Sequence, residues 1–430
     1  MARNRVAGPG QIAYRLDVPP PTDPPLTRTN RRALSERFES DLARALVARG
    51  LVSPVAIEEA LNLQVVMGGA LSTSLWDLGL LPSETATAVG AEIQRLKPAP
   101  SERLGNLAAK VTKLLSREIA ARTRILPFAL VDRTLHVASS EPWNITAFEQ
   151  VAFATGSRLE CYYLAEVPLA ELLLRYYRVP LPARIQLGPQ VRPQLRTTDS
   201  AKTTAAGELM DQTQFEAIYR DQAIFIPGVS GPNAAPPSEQ ELPEIELRPE
   251  DALSPDDEPI TVPLAGLAEA IACLDVAEDR DAVGVALARF ALSRGKRVAL
   301  LVHAGRMWTG WIGAGESVSP AAVRALVLPA APGSVFGLVG ASGAPYLGPL
   351  APHAVHEQFL RVLGGGWPRS IGLFPVHYRS RLSFGVYLDS GEGCYASPDL
   401  ADILLLAQRV PAALARVVRR RLLGSESLEP

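Results

Sequence analysis

The sequence predicts a multidomain α+β protein, and three observations carry that prediction. A helical phrase is written twice near the N-terminus, a stretch of alternating β and helix patterns follows it, and a Pro-rich acidic segment separates both from a second such stretch. At 430 residues and 47% hydrophobic content the chain exceeds what one core holds. Several cores are expected.

The duplicated phrase lies between residues 37 and 97. "ALVARGLVSPVAIEEALNLQ" starts at Ala45, and "TSLWDLGLLPSETATAVGAEIQ" repeats its pattern from Thr73. Apolar residues recur at helical spacing, and Gly50 and Gly79 stand where helices should stop, since Gly adopts the left-handed conformation freely. Ser53-Pro54 and Ser83 are read as the caps that start the next helices. Two helix hairpins, burying each other's apolar faces, are the expected result.

The period changes over residues 104–180. "LGNLAAKVTKLLSREIAART" reads as one amphipathic helix, "RILPFALV" and "RTLHVASS" as strands joined by a turn at Asp132-Arg133, and a helix, a strand and a helix follow. The order is αββαβα.

Residues 1–36 read as a disordered leader and 181–262 as a linker. Within the latter, "SEQELPEIELRPEDALSPDDEP" sets nine carboxylates against Arg248, too little apolar surface to offset the entropy of ordering. Glu208 to Phe225 is apolar enough for a transient helix. Residues 263–422 then read as a helix or helix pair, a hairpin ("KRVALLVHAG", "RMWTGWIGAG"), a capped helix ("SPAAVRALVL") and a loop from Pro329 to Pro352. A helix from His353, a hairpin turning near Arg379-Ser380 and terminal helices complete the block, leaving 423–430 as a tail.

Composition narrows the function classes. With 43 basic against 45 acidic residues the net charge is −2, which offers no overall field for nucleic acid or an anionic membrane. Cys161, Cys273 and Cys394 are widely spaced and suit a reducing compartment. With no apolar h-region and no run of about 18 apolar residues, a cytoplasmic protein without membrane insertion is expected.

The ordered marks Leu126-Pro127, Leu135-x-Val137-Ala138, Pro142, Thr155-Gly156 and Tyr176-Tyr177, together with the duplicated unit, resemble the N-terminal region of type II secretion and type IV pilus assembly ATPases, the GspE/MshEN family. In some members of that family the duplicated unit binds cyclic di-GMP through tandem motifs. The resemblance places Leu42, Leu46, Val47, Gly50, Ile57, Leu61 and Gln64 in the first motif and Leu71, Leu75 and Gly79 in the second. Asp41 and Ala70 stand at the Arg positions, Ala43 and Ser72 at the Gly positions, and Ala86 and Gly90 at the later Leu positions. A carboxylate beside a phosphate is repulsive, so the motif is degraded and cyclic di-GMP is not the expected ligand. The apolar members then serve as core.

"LFPVHYRSRLSFGVYLDS" and the element order of 263–422 are similar to GAF domains, implying a sensing or dimerising module and a homodimer through it. The motor of the ATPase family is missing. A P-loop needs Gly-x-x-x-x-Gly-Lys-Ser/Thr to cradle phosphates with backbone amides. At the one Gly-Lys in the chain, Gly295-Lys296, Phe290 fills the first Gly position and Arg297 the Ser/Thr position.

Other chemistry finds no constellation. His353-x-x-His356 lacks the rest of a zinc motif and reads as a solvated helix start, and Ser334 lacks the nucleophile-elbow glycines. Arg419 to Arg421 read as cations of a last helical turn. The expectation is a non-enzymatic regulator or adaptor with no cofactor or metal, whose partner is a protein of a secretion, pilus or signalling system. A small-molecule receptor is the alternative.

Overall fold

The structure, a computed structural model, describes residues 28–187, 260–264, 266–397 and 400–426. The chain divides into a main unit and a second unit, Arg196–Glu246, which lies outside the described residues. So do the segment Glu208 to Phe225 and the run of nine carboxylates.

Four helices open the main unit: α1 (Arg28–Ala48), α2 (Pro54–Met67), α3 (Leu71–Asp77) and α4 (Ser83–Ile93). The duplication extends to the hydrogen bonds. The amide of Gly50 donates to Val47 O and that of Leu51 to Leu46 O, while Gly79 donates to Trp76 O and Leu80 to Leu75 O. Both glycines have positive φ, 64° and 69°, so each first helix of the pair ends in the same Schellman geometry. Ser53 caps α2 by accepting from Ala56 N, but Ser83 lies inside α4, whose cap is Pro82. α1 begins at Arg28, inside the expected leader, because it packs on a partner helix described below.

The next elements are β1 (Lys97–Pro98), α5 (Ser101–Leu104), α6 (Ala109–Thr112), α7 (Arg117–Thr123), β2 (Leu126–Val131), β3 (Thr134–Ser139), α8 (Ile145–Thr155), β4 (Arg158–Tyr163) and α9 (Glu166–Tyr177). The single amphipathic helix expected over 104–123 is instead broken. Ser116 accepts from Ile119 N and so starts a new helix. The sheet order is β1-β4-β3-β2, with β2 and β3 antiparallel and the other pairs parallel. Asp132 and Arg133 turn the hairpin with φ of 46° and 65°. α10 (Ala183–Leu187) follows inside the expected linker, held by Arg184, whose guanidinium meets Asp77 at 2.9 Å in a buried ion pair.

The C-terminal region contains α11 (Leu267–Val276), α12 (Arg280–Leu292), β5 (Arg297–Ala304), β6 (Met307–Ala314), α13 (Pro320–Arg324), β7 (Val327–Pro329), α14 (Val335–Ser342), β8 (Tyr346–Gly348), α15 (Ala354–Val362), β9 (Ile371–Tyr378), β10 (Arg381–Asp389), α16 (Ala401–Ala407) and α17 (Val410–Glu426). Its antiparallel sheet runs β7-β6-β5-β10-β9-β8, the GAF-like arrangement. Two expectations change here. The end of "SPAAVRALVL" is strand β7, and the expected loop 329–352 holds α14 and β8, because the sheet edges recruit both segments.

Both faces of this sheet are covered. Val298, Leu300, Val302, Phe384, Val386 and Leu388 face one core, while Ala299, Leu301, Leu373 and Tyr387 face another. Strand alternation therefore meets apolar surface on either side, which explains the uninterrupted apolar run of β5. The first core does not stop at the GAF-like region. It continues through Leu414 and Val417 of α17 into Leu42, Leu46, Leu61 and Leu75 of the duplicated unit. α17 packs directly on α1 and α2, so this helical face is taken up within the chain.

Candidate functional site

The apolar residues of the two motifs are brought together as core. Leu42, Leu46, Ile57, Leu61, Leu71 and Leu75 are buried in one cluster and Val47 packs partly buried against it, while Gly50 and Gly79 sit exposed at helix ends. Nothing lies within 4 Å of a Cβ built on Gly50. Gly90, at a later Leu position, lies under an aromatic ring: a Cβ there would come within 2.3 Å of Tyr163. The floor left open by the missing Leu is filled from β4.

Gln64 is buried and fully engaged. Its amide nitrogen donates to Glu39 Oε1 and to Gly69 O, both at 2.8 Å, and its oxygen accepts from Arg421 Nη1 at 2.7 Å. Arg421 also meets Glu39 Oε2 at 3.4 Å. Asp41, at an Arg position, pairs with Arg44 and Arg37. Arg421 is therefore a clamp within the chain rather than a solvated cation, whereas Arg419 and Arg420 are exposed, Arg420 meeting the exposed Glu278 at 3.2 Å.

Two cavities flank Glu39. The first, about 220 Å³, lies between the duplicated unit and the GAF-like region, with Arg32, Glu36, Gln64, Asp279, Arg280 and Arg421 among its walls. Arg280 donates from Nε to Val65 O and from Nη2 to Val66 O, both at 3.1 Å, and its guanidinium lies 3.8 Å from the ring centre of Trp311. It thus satisfies the last carbonyls of α2, where the helix dipole favours a cation. Burial pushes the Arg280 guanidinium down to about 10. The second cavity, about 150 Å³, is walled by Glu39, Glu141, Glu166, Phe38, Trp143 and Tyr163, with Ala70 and Ser72 beside them. Burial raises the Glu39 pKa against the opposing pull of Arg421. Sequence reasoning missed Glu39, Trp143, Tyr163 and Glu166, whose spacing follows no motif; only the run at Arg419–Arg421 drew notice.

The GAF-like region has its own cavity, about 330 Å³, beside Ser334, Tyr346 and His356. His356 is buried, not a solvated helix start. Its Nε2 accepts from Val335 N at 2.9 Å while Nδ1 lies 2.7 Å from Ala351 O, an arrangement only the neutral ring satisfies. His353 caps α15 by accepting from Val355 N, and Ser334 caps α14. Among the described residues no group of three or more His, Cys, Asp or Glu could hold a metal ion. None of their helices is long and apolar enough to cross a membrane.

Gly295-Lys296 is a structural turn. The Lys296 amide donates to Asp389 O at 2.8 Å, and Asp389, fully buried, accepts from Arg297 Nε at 2.7 Å and Tyr387 OH at 2.6 Å. The Tyr-x-Asp strand end thus builds a buried polar anchor for β5.

With this geometry in place, the comparisons fall into two groups. The MshEN domain family model matches residues 98–183. The type IV pilus assembly ATPase PilB of Myxococcus xanthus (strain DK1622) is 27% identical over 136 residues, 32% of this chain and 24% of the relative. The chain thus spans about a quarter of the length of that curated relative. The structure of MshE with cdg is 28% identical, covers 32% of this chain and 98% of its own, and has a TM-score of 0.27. The GAF domain from a phosphoenolpyruvate-protein phosphotransferase (ptsP) of Coxiella burnetii is 16% identical, covers 36% of this chain and 93% of its own, and has a TM-score of 0.30. Residues 98–183 match the MshEN domain, within a region similar to the N-terminal part of pilus and secretion ATPases, and are joined in one chain to a GAF-like domain.

Proposed function

We propose that this chain is a non-enzymatic regulator or adaptor, in which the MshEN-like region docks a component of a secretion or pilus machine and the GAF-like domain carries the regulatory input. The observation that carries this reading is the pairing of an MshEN match with a Gly-Lys turn whose amide is consumed by Asp389. Residues 98–183 match the MshEN domain, and the chain's one Gly-Lys lacks the glycine and hydroxyl of a phosphate cradle. The shared core supports the regulatory half of the reading, because α17 of the GAF-like region packs directly on α1 and α2. The test has two arms. Purified protein should hydrolyse no ATP above buffer with or without magnesium, and turnover that survives repurification and is lost on a point substitution would sink the reading. Pull-downs with the full chain should recover a secretion or pilus component, and recovery should fail when the MshEN-like surface is altered at exposed Phe153, for example Phe153→Glu.

A second reading is a cyclic di-GMP receptor, which the relative MshE with cdg favours. Against it stand the carboxylates Glu39, Glu141 and Glu166 at the start of the second motif, which repel phosphates. Calorimetry with cyclic di-GMP decides between them. The proposal expects no heat from the unmodified chain and weak binding once Asp41→Arg, Ala43→Gly, Ala70→Arg and Ser72→Gly are combined. Tight binding by the unmodified protein establishes the receptor.

A further inference from the structure

We propose that the joint between α2 and α3, Gly68-Gly69-Ala70, couples the GAF-like region to the αββαβα module, so that loosening one side of the joint loosens the other. Gly68 and Gly69 both have positive φ, 77° and 71°, a conformation that other residues adopt only with strain. Side chains from both regions converge on these residues. From the GAF-like side, Arg280 of α12 donates to Val65 O and Val66 O in the last turn of α2, and a Cβ built on Gly68 would lie 3.2 Å from its Nη1. Arg421 of α17 donates to Gln64 Oε1 at 2.7 Å, and the nitrogen of the same amide donates to Gly69 O at 2.8 Å. From the other side, Glu166 at the start of α9 accepts from Ala70 N at 3.1 Å and from Thr73 Oγ1 at 2.7 Å. Arg184 of α10 donates to Ser74 Oγ at 2.9 Å, and its Nη1 lies 2.9 Å from a Cβ built on Gly69.

Arg421, Gln64, the Gly69–Ala70 peptide unit and Glu166 thus form one continuous chain of hydrogen bonds. Two of its links are rigid planes. The Gln64 amide is gripped at its oxygen by α17 and at its nitrogen by the joint, and the peptide plane accepts at Gly69 O while donating at Ala70 N. A planar peptide cannot tilt toward one partner without moving its other end. Withdrawal of Arg421 frees the Gln64 amide, lets the peptide plane rotate, and weakens the bond from Ala70 N to Glu166. The glycine at its head makes that rotation cheap, since no Cβ opposes it. Groups joined through shared partners in one network are energetically coupled without touching each other.

Coupling of this kind deepens the regulatory half of the proposed function and rests on that reading for its use. The experiment reads only the chain itself, so its failure leaves the results of partner capture and ATP hydrolysis standing. Hydrogen–deuterium exchange of the full chain, read by mass spectrometry, follows peptides covering Leu71–Asp77 of α3 and Glu166–Tyr177 of α9. Arg421→Gln should raise exchange in both by about tenfold, the effect of losing one charge-assisted hydrogen bond on local opening, with β3 unchanged. Arg416→Gln is the control, because Arg416 lies on the same helix but bonds Leu274 O and Asp275, away from the joint, and it should leave both peptides unchanged. Glu166→Gln should raise the α3 rate by a similar factor, and the double variant Arg421→Gln with Glu166→Gln should fall well short of the product, about a hundredfold. If Arg421→Gln does not fold, Arg421→Met with Glu39→Gln leaves no charge unpaired there and carries the same test. Wild-type exchange of α3 and α9 in a folded Arg421 variant, an equal rise with Arg416→Gln, or a double variant that reaches the product would overturn the proposal.

Discussion

The phenol of Tyr378, at the end of β9, donates to Asn62 Oδ1 of α2 at 2.6 Å, and both residues are buried. The bond joins the GAF-like sheet to the duplicated helical unit across 316 positions of sequence. Removing the donor leaves a buried acceptor unsatisfied, which costs about 1 to 3 kcal/mol. Tyr378→Phe should therefore lower the unfolding free energy by that amount and shift the denaturation midpoint down, with Asn62→Leu combined with Tyr378→Phe recovering part of it. No change in midpoint for the single variant would show that the contact contributes nothing.

Arg280 closes α2 and stacks on Trp311 at once. Replacement by Ala removes two charge-assisted bonds and a cation–π contact, for an expected loss of about 2 to 4 kcal/mol. Arg280→Lys should rescue only part, since an ammonium cannot span both carbonyls as a planar fork does. Chemical denaturation of the three proteins checks the order wild type, Lys, Ala.

The buried pair Arg184–Asp77 ties α10 to α3. Leaving one charge buried without its partner costs about 3 to 5 kcal/mol, whereas removing both costs far less. Arg184→Met alone should destabilise more than Arg184→Met with Asp77→Leu. Thermal melts that rank them the other way would contradict the assignment.

Burial holds the pKa of His303 and His356 below the ordinary value of 6.5. For such a group the folded state prefers the neutral ring, so its stability contribution is complete above 6.5 and is lost as the pH falls through the depressed folded values. Glu39 and Asp279 act oppositely in the carboxylate range, since their raised pKa values mean stability present at low pH and lost as pH rises through them. The melting temperature of wild type should drop between pH about 7 and about 5.5 more steeply than that of His356→Gln, whose side chain does not titrate. Parallel curves would remove His356 from the account.

One core spans the duplicated unit and the GAF-like helices. A protease cut introduced within 196–246 should therefore give two fragments that co-elute under native conditions and separate only in denaturant. The sequence alone pointed to a cut between about 185 and 260 that leaves two resistant fragments. Fragments that part on native gel filtration would contradict the shared core.

Local pattern was enough to read much of this chain. The repeat of Gly50 and Gly79, the I′-like turn at Asp132-Arg133, the hairpin turning at Arg379-Ser380 and the absence of a phosphate cradle at Gly295-Lys296 are all short-range properties, set by backbone freedom and residue spacing. The order αββαβα and the GAF-like order of elements follow from the same periodicities. What needed the tertiary structure was every contact made across long sequence separation. No periodicity announces that Arg184 leaves an apparent linker to pair with Asp77, that Arg421 reaches Glu39 and Gln64, or that Tyr163 fills the space above Gly90. The candidate cavity beside Glu39 is of this second kind, for its carboxylates and rings come from α1, the β3–α8 loop, β4 and α9. Such residues carry no local signature because their chemistry exists only once packing has removed the water between them.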